Sequence, residues 1–347
     1  MKTQFKDVLQ FVGEIERLER LNADFVVPQG KMRMANDGTT ILFGDKSYSM
    51  LPIAHEQVAA KAGIPSTYYN KIQSIPGLRA FNVNAWLDAD KTAKRLVRTR
   101  EGNARAILSD RFKPMDSILV VGAALPVIAA NPELQVRNAV ITDERVYLQV
   151  SFPKIAGEIR VGDIVEFGFT LTTSEVGRGK VDIQKWYHQL RCTNGYIGES
   201  VFSKRHVGRR IGEDEEDYTI FSNETIEAEM ESLRLRLRDI ITATISQEAF
   251  EADLKKFRKA DGDTFLPSDA SDVIENVTKH FGFLEGEMKS VLDRIMAENH
   301  MSRMGIADAI TYQAHEIENQ DHAYDLERAG FDLIAMSSKE WSEVIAA

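Results

Sequence analysis

The sequence has only one cysteine, Cys192, among its 347 residues. A lone thiol cannot form a disulfide within the chain, which excludes a disulfide-stapled secreted fold and favours a reducing compartment. The most apolar run, residues 118–130, is short and contains Gly122 and Pro126, whereas a membrane-spanning helix needs about 20 apolar residues. The N-terminus lacks the apolar core of a signal peptide. We therefore expect a cytoplasmic protein with no membrane partner.

Positive charge is in deficit overall, with 43 Lys and Arg against 53 Asp and Glu and a net charge of -10. It is nevertheless concentrated in two windows. Residues 79–113 hold nine basic and four acidic side chains, and residues 176–210 hold eight and two. Residues 212–232 have nine acidic and no basic side chains, and residues 267–347 have sixteen and six. This asymmetry is typical of a nucleic-acid surface beside an acidic region, although basic strands also occur simply as the solvated face of a sheet.

Hydrophobic patterning predicts an α+β fold. The chain is long enough to bury a sizeable core, and β-rich segments separated by turn signals predict an antiparallel β-sheet core with a packed helix at 118–130. From residue 226 onward the apolar period is helical, which predicts a helical C-terminal region. The expected domains are an N-terminal helix and small hairpin at 1–50, an α+β core at 51–212, and an acidic helical region at 213–347.

Individual elements follow from the same patterns. The predicted strands are 25–27, 31–34, 40–43, 81–87, 96–100, 105–109, 136–142, 145–152, 164–172 and 181–190. An amphipathic helix is predicted at 5–21. Residues 54–72 predict two short helices joined at Gly63, with Ser66 as the N-cap of the second. This arrangement is similar to a helix-turn-helix that reads DNA, and also to an ordinary helical packing unit.

Catalytic and metal-binding motifs are missing. There is no Gly-x-Ser-x-Gly elbow, no His-Glu-x-x-His, no EF-hand loop and no cysteine pair. Four of the seven histidines lie in the C-terminal region, and His315 and His322 would fall on one face of a continuous helix. Side chains that could join them as metal ligands are Asp308, Glu316 and Asp321. Because no recognised ligand spacing is present, we predict no catalytic residue, no metal and no cofactor.

Four segments in series resemble one known family. They are Ala62-Gly63-Ile64-Pro65 followed by Tyr68-Tyr69, Asn82-Val83-Asn84-Ala85-Trp86-Leu87, Arg105-Ala106-Ile107-Leu108-Ser109-Asp110-Arg111-Phe112, and His188-Gln189-Leu190-Arg191-Cys192-Thr193-Asn194-Gly195. Their order resembles the phage/plasmid-like protein family, domain of unknown function 932. Phe112 replaces an expected tyrosine, and Arg191 replaces a frequent apolar residue. The family has no established activity, so the resemblance implies only a setting in phages, plasmids or integrated elements.

Charge pattern and family context together predict a non-enzymatic DNA-binding protein of a phage or other mobile element, with recombination or replication on single strands as the expected setting. The expected phosphate contacts are Arg95, Arg98, Arg100, Arg105, Arg111 and Lys113 in the first window, and Lys180, Lys185, Arg191, Lys204, Arg205, Arg209 and Arg210 in the second. Trp86, Trp186 and Tyr187 are candidate base-stacking faces. The alternative is that these aromatic side chains lie in the hydrophobic core, and this alternative is stronger for Trp86 than for Tyr187.

Two alternatives remain at this point. An interaction or anti-defence protein could bind a host or phage protein through its acidic tail at 267–347, and a metal-dependent enzyme could use the tail histidines. The amphipathic first helix and open sheet edges also favour a homo-oligomer, because an unpaired edge can accept another chain.

Overall fold

The computed structural model describes residues 2–206 and 223–346. It confirms the α+β class, with antiparallel strands and a helical C-terminal region. In these described ranges no helix combines the length and the apolar character that a membrane crossing requires.

Twelve strands in the described ranges form two six-stranded sheets. In chain order they are β1 (Lys2–Phe5), β2 (Asn22–Pro28), β3 (Met32–Met34), β4 (Thr40–Phe43), β5 (Lys46–Met50), β6 (Lys94–Arg100), β7 (Asn103–Ser109), β8 (Gln135–Thr142), β9 (Val146–Arg160), β10 (Asp163–Thr173), β11 (Val181–Gln189) and β12 (Gly195–Lys204). The first sheet has the order β1-β8-β9-β10-β11-β12, and the second has the order β2-β6-β7-β5-β4-β3. The second sheet contains one parallel pair, β5 with β7.

The helices lie between and after these strands. They are α1 (Val8–Arg20), α2 (Pro52–Lys61), α3 (Ser66–Lys71), α4 (Pro76–Ala89), α5 (Ser117–Gly122), α6 (Leu125–Ala130), α7 (Asn223–Thr244), α8 (Gln247–Gly262), α9 (Ala270–Phe281), α10 (Glu285–Glu298), α11 (Arg303–Gln313), α12 (Gln320–Ala335) and α13 (Ser338–Ile345). The predicted N-terminal helix and the two short helices joined at Gly63 are confirmed.

Four local predictions were wrong. Residues 81–87 belong to α4 rather than to a strand, because Ala80, Val83 and Leu87 form a buried face at helical spacing. Residues 118–130 form two helices, with Pro126 in the first turn of the second, where its missing N–H costs no hydrogen bond. The cap residue before α3 is Pro65, not Ser66.

The fourth error is the omission of three strands, β1, β5 and, as the longest of them, β12. This strand pairs with β11 from Lys204 back to Gly195, and its register shifts twice. It carries exposed and buried residues in an irregular order. That order hides the period-2 pattern by which strands are recognised.

Helices of the C-terminal region share a core with the first sheet. Tyr187 of β11 stacks on Phe331 of α12 with ring centroids 5.1 Å apart, and it also meets Phe257 of α8 at 5.2 Å. Phe167 of β10 contacts Phe250 of α8 at 5.8 Å. All five rings are fully buried or nearly so. Residues after 223 therefore pack onto the sheet and do not form a separate bundle.

Candidate functional site

Three arginines of the β6–β7 hairpin meet acidic side chains from distant segments. Arg98 is 2% exposed; its Nε lies 3.0 Å from Asp24 and its Nη2 lies 2.7 Å from Asp116. Its Nη1 donates a hydrogen bond to the Glu175 carbonyl at 3.0 Å. Burial opposes the charge of Arg98, but the two carboxylates raise its pKa above the ordinary value. Arg98 thus joins the two sheets.

Arg100 and Arg105 share one carboxylate, that of Glu175. Arg105 Nη1 lies 2.9 Å from it and Arg100 Nη2 lies 3.5 Å away. Burial raises the pKa of Glu175, but the charges of Arg105 and Arg98 outweigh it and lower the pKa to about 2. Burial and repulsion by Arg105 lower the pKa of Arg100 to about 10.

The prediction that these three arginines line a DNA-facing strand surface was wrong. Arg98 and Arg105 are at most 5% exposed, and the Arg100 side chain is 20% exposed. Their charges are directed toward carboxylates between the sheets, where a polymer has no access. Arg95 and Arg100 are half-buried and keep partial access to solvent, but the Arg100 guanidinium is directed toward Glu175.

Part of the second window is buried as well. Lys185 pairs with Asp253 at 2.8 Å, and the hydroxyl of Tyr187 donates to the same carboxylate at 2.6 Å. Tyr187 is 0% exposed and Trp186 is 3% exposed. Neither ring can stack on a base. The Lys185 side chain is 17% exposed and its ammonium group is taken up by Asp253, which contradicts its prediction as a phosphate contact.

Trp86 is exposed, although the sequence favoured a position in the core for it. It is 54% exposed on α4, and Phe81 of the same helix is 72% exposed. The strand prediction placed Trp86 in alternation with buried residues. In a helix the buried positions are Val83 and Leu87, which leaves Trp86 outside.

The two cationic windows meet beyond the ends of their strands. The main-chain N–H of Lys113 donates to the His206 carbonyl at 2.8 Å, and Phe112 stacks on the His206 ring at 5.0 Å with an interplanar angle of 1°. Val181 pairs with Lys204, so Lys180 lies at the same end of the β11–β12 pair. The six basic residues at this junction or next to it are here called the cationic seam: Arg111, Lys113, Lys180, Lys204, Arg205 and Arg236.

Electrostatics show that members of the cationic seam are close enough to repel. Burial, then Lys113, then Arg236, lower the pKa of Lys204, while Glu229 opposes them. Glu229 forms an ion pair with Lys113, and Asp182 pairs with Lys180 at 3.3 Å.

Three members of the cationic seam are exposed: Arg111, Arg205 and Arg236. Sequence reasoning missed Arg236 because it lies on α7, outside both windows. The alternation of arginine with leucine from 233 to 238 was the signal that could have drawn attention to it.

The remaining predicted contacts lie elsewhere. Arg191 is exposed and lines a cavity of about 260 Å³ together with Arg160, Arg294 and Cys192. Burial raises the pKa of the Cys192 thiol to about 12, which makes it a poor nucleophile. Arg209 and Arg210 lie outside the described residues.

The tail histidines do not converge. His315 follows the end of α11 and His322 lies in α12, so the single continuous helix assumed for them does not exist. His322 contacts Glu287, and His300 Nε2 lies 2.8 Å from Asp261. Within residues 2–206 and 223–346, no group of three or more ligand-type side chains could hold a metal ion.

A buried polar face of the first sheet was missed altogether. Gln149 pairs in register with Thr170, which pairs with Gln184, and all three are buried. From α12, the half-buried Glu327 accepts hydrogen bonds from Gln149 Nε2 at 2.6 Å and from Trp186 Nε1 at 3.4 Å. Burial raises the pKa of Glu327 to about 7.

The same face continues to a charged pair. Glu166 is 5% exposed and lies 2.7 Å from Arg137, and His188 Nδ1 lies 3.7 Å from Glu166. Burial, and next the charge of Arg137, lower the pKa of His188 to about 4. Polar residues at alternate positions of β10 and β11 were the available sequence signal.

Models of protein families, curated proteins and solved structures were all compared with this chain, and none matches it. The resemblance to the phage/plasmid-like family therefore stays a prediction.

Proposed function

We propose that this protein binds DNA through its phosphate backbone, and that the cationic seam is the contact surface. The observation that carries the proposal is the junction of Lys113 with His206, which brings basic residues from two distant windows onto one surface. Among the described residues, Lys113 and Lys180 of these six cations pair with the carboxylates of Glu229 and Asp182, which leaves an excess of positive charge. Such an excess attracts a polyanion and releases its counterions.

The chemistry of the cationic seam favours contacts without base reading. Phe112 and His206 are 8% and 2% exposed, so their rings stack on each other and not on bases. Lysine and arginine contacts to phosphates position a strand but carry no sequence information. The proposal is therefore a sequence-tolerant DNA binder, and the phage or mobile-element setting rests on the family resemblance alone.

The test is a titration of labelled single-stranded and duplex DNA at low salt, followed by fluorescence anisotropy. A double variant, Lys204→Gln with Arg205→Gln, removes two cations from the seam and should weaken binding about tenfold or more. The matched control, Lys255→Gln with Lys259→Gln, removes two exposed cations of α8 and should bind as the native protein does.

Two results would end this proposal. One is the absence of binding to either form of DNA at low salt. The other is an equal loss of affinity in both double variants, which would make the attraction a property of total charge and not of the seam.

The acidic tail at 267–347 is the second candidate from the sequence. Its helices bury Val273, Leu326 and Phe331 in the core shared with the first sheet. Removing the tail would expose that core, so a partner on the tail has to be tested by neutralising exposed carboxylates such as Asp272 and Glu275.

A further inference from the structure

The solvent-exposed side of α4 carries a continuous row of apolar side chains. Leu78, Phe81, Ala85 and Trp86 are all exposed, and they follow the i, i+3, i+7, i+8 spacing of one helical face. Ile75, directly before the helix, is exposed as well. These five residues are here called the α4 stripe.

The helix that carries the α4 stripe is fixed to the second sheet. Asn84 Oδ1 accepts a hydrogen bond from the main-chain N–H of Met34 at 2.7 Å, and Asn84 Nδ2 donates to the Met34 carbonyl at 2.9 Å. Because β3 is the last strand of that sheet, α4 covers its open edge. A partner of the α4 stripe therefore meets a helix that is already held in place, which lowers the ordering cost of binding.

The α4 stripe carries no charge. Between Lys71 and Asp88 the sequence holds one charged residue, Arg79. Arg79 is 4% exposed, its Nη1 donates to the Gly38 carbonyl at 3.2 Å, and its Cζ lies 4.6 Å from the centroid of the Tyr69 ring. Strands of nucleic acid stack on aromatic side chains that lie beside basic ones, and helices that bind membrane surfaces are rich in Lys and Arg. The α4 stripe has neither feature, so an uncharged protein surface suits it best.

A second copy of this chain offers such a surface. A twofold contact brings the same residues of both copies together, so a charged patch would repel its copy, whereas the α4 stripe does not. Two α4 helices that pack antiparallel also align their macrodipoles favourably. With the twofold axis near Asn82, Leu78 of one copy lies against Trp86 of the other.

The area of the α4 stripe agrees with a dimer. Phe81 and Trp86 are 72% and 54% exposed, and since an aromatic side chain buries about 150–250 Å², the two together offer about 250 Å². The whole stripe presents roughly 400–500 Å², within the range of functional patches. Burial on both copies gives roughly 800–1,000 Å², close to the lower limit of about 1,000 Å² for a specific interface. The expected dimer is therefore of moderate affinity.

We propose that this protein forms a homodimer in which the α4 stripes of two copies pack antiparallel about a twofold axis. The surface shares no residue with the cationic seam, so the proposal does not depend on DNA binding.

The experiment is sedimentation velocity of the full chain over a range of protein concentrations. A shift from monomer to dimer is expected, with a dissociation constant of about 1–100 μM. Phe81→Glu places two like charges near the twofold axis and should weaken the dimer about tenfold or more. The matched control, Leu9→Glu, changes an exposed leucine of α1 and should dimerise as the native protein does.

A charge exchange tests the antiparallel packing. Leu78→Lys and Trp86→Glu each remove apolar area and should each weaken the dimer. Combined in one chain, they place a lysine of one copy against a glutamate of the other, so the double variant should dimerise more tightly than either single variant. Far-UV circular dichroism of every variant confirms that it is folded.

Three results would overturn the proposal. The native chain could remain a monomer at every concentration, or Leu9→Glu could weaken the dimer as much as Phe81→Glu does. The double variant could also be no tighter than the single variants. Binding of the native monomer, but not of Phe81→Glu, to phosphatidylcholine vesicles would assign the α4 stripe to a bilayer and would likewise overturn it.

Discussion

The first cationic window supplies side chains to two different environments. Arg98 and Arg105 lie between the sheets, held by carboxylates that come from other segments of the chain. Arg111 and Lys113, just past the same hairpin, lie on the cationic seam. Both sets count equally in a window of sequence, but only the second can meet a polymer. What separates them is the presence of buried acidic partners.

The largest expected effect is the loss of stability when a buried cation is removed. Arg98→Met leaves Asp24 and Asp116 without their shared counter-ion and should lower the free energy of unfolding by about 3–5 kcal/mol. Arg111→Met, at an exposed position, should change it by less than about 0.5 kcal/mol. Urea unfolding of the two variants measures both values, and similar values would erase the distinction between the regions.

Buried and exposed carboxylates should also differ in how they make the stability of the fold depend on pH. Glu327 keeps its proton up to about pH 7 in the folded protein, whereas its ordinary pKa is 4.5. Its contribution to the free energy of unfolding therefore falls as pH rises across that interval, by about 3 kcal/mol. Glu327→Gln should remove this fall, and Glu343→Gln, at an exposed position, should not. Urea unfolding curves measured from pH 4 to 8 test this prediction. Identical profiles of stability against pH for the two variants would refute the raised pKa of Glu327.

A smaller effect tests the buried end of the second window. Tyr187→Phe removes the hydroxyl that donates to Asp253 and should cost about 1–2 kcal/mol of stability. DNA affinity should stay the same, because the ring is enclosed. Tyr68→Phe, at a side chain 42% exposed, is the control. A loss of DNA affinity in folded Tyr187→Phe would restore Tyr187 as a contact.

The smallest expected effect is a gain in DNA affinity when a carboxylate beside the cationic seam is removed. Glu229→Gln removes the carboxylate paired with Lys113 and should strengthen DNA binding about two- to threefold, because exposed ion pairs are weak. Glu231→Gln, on the same helix, frees Arg234 instead and should have no effect. Anisotropy titrations compare them, and equal gains in both would point to net charge alone.

Sequence patterns predicted the elements with simple periods. The β6–β7 hairpin was found because two segments of β-rich composition flank the Glu101-Gly102 turn, where both residues have positive φ. α4 was missed because Asn82 to Leu87 reads as an alternating run, and its helical face is evident only from Ala80 onward. Local composition was ambiguous there, and packing decided it.

The sequence could not show which basic side chains are buried against acidic partners and which are exposed. Asp116 and Glu175 are 18 and 70 residues from the arginines they hold. The junction of Lys113 with His206 likewise depends on tertiary structure. A window count locates charge in the chain, but the fold determines which charges remain on the surface.

The most direct measurement of the central claim is the salt dependence of single-stranded DNA binding. The slope of log affinity against log salt should become shallower by about 1.4 in Lys204→Gln with Arg205→Gln, because each lost phosphate contact removes about 0.7. The α8 control, Lys255→Gln with Lys259→Gln, should keep the native slope. An unchanged slope in the seam variant would contradict the account.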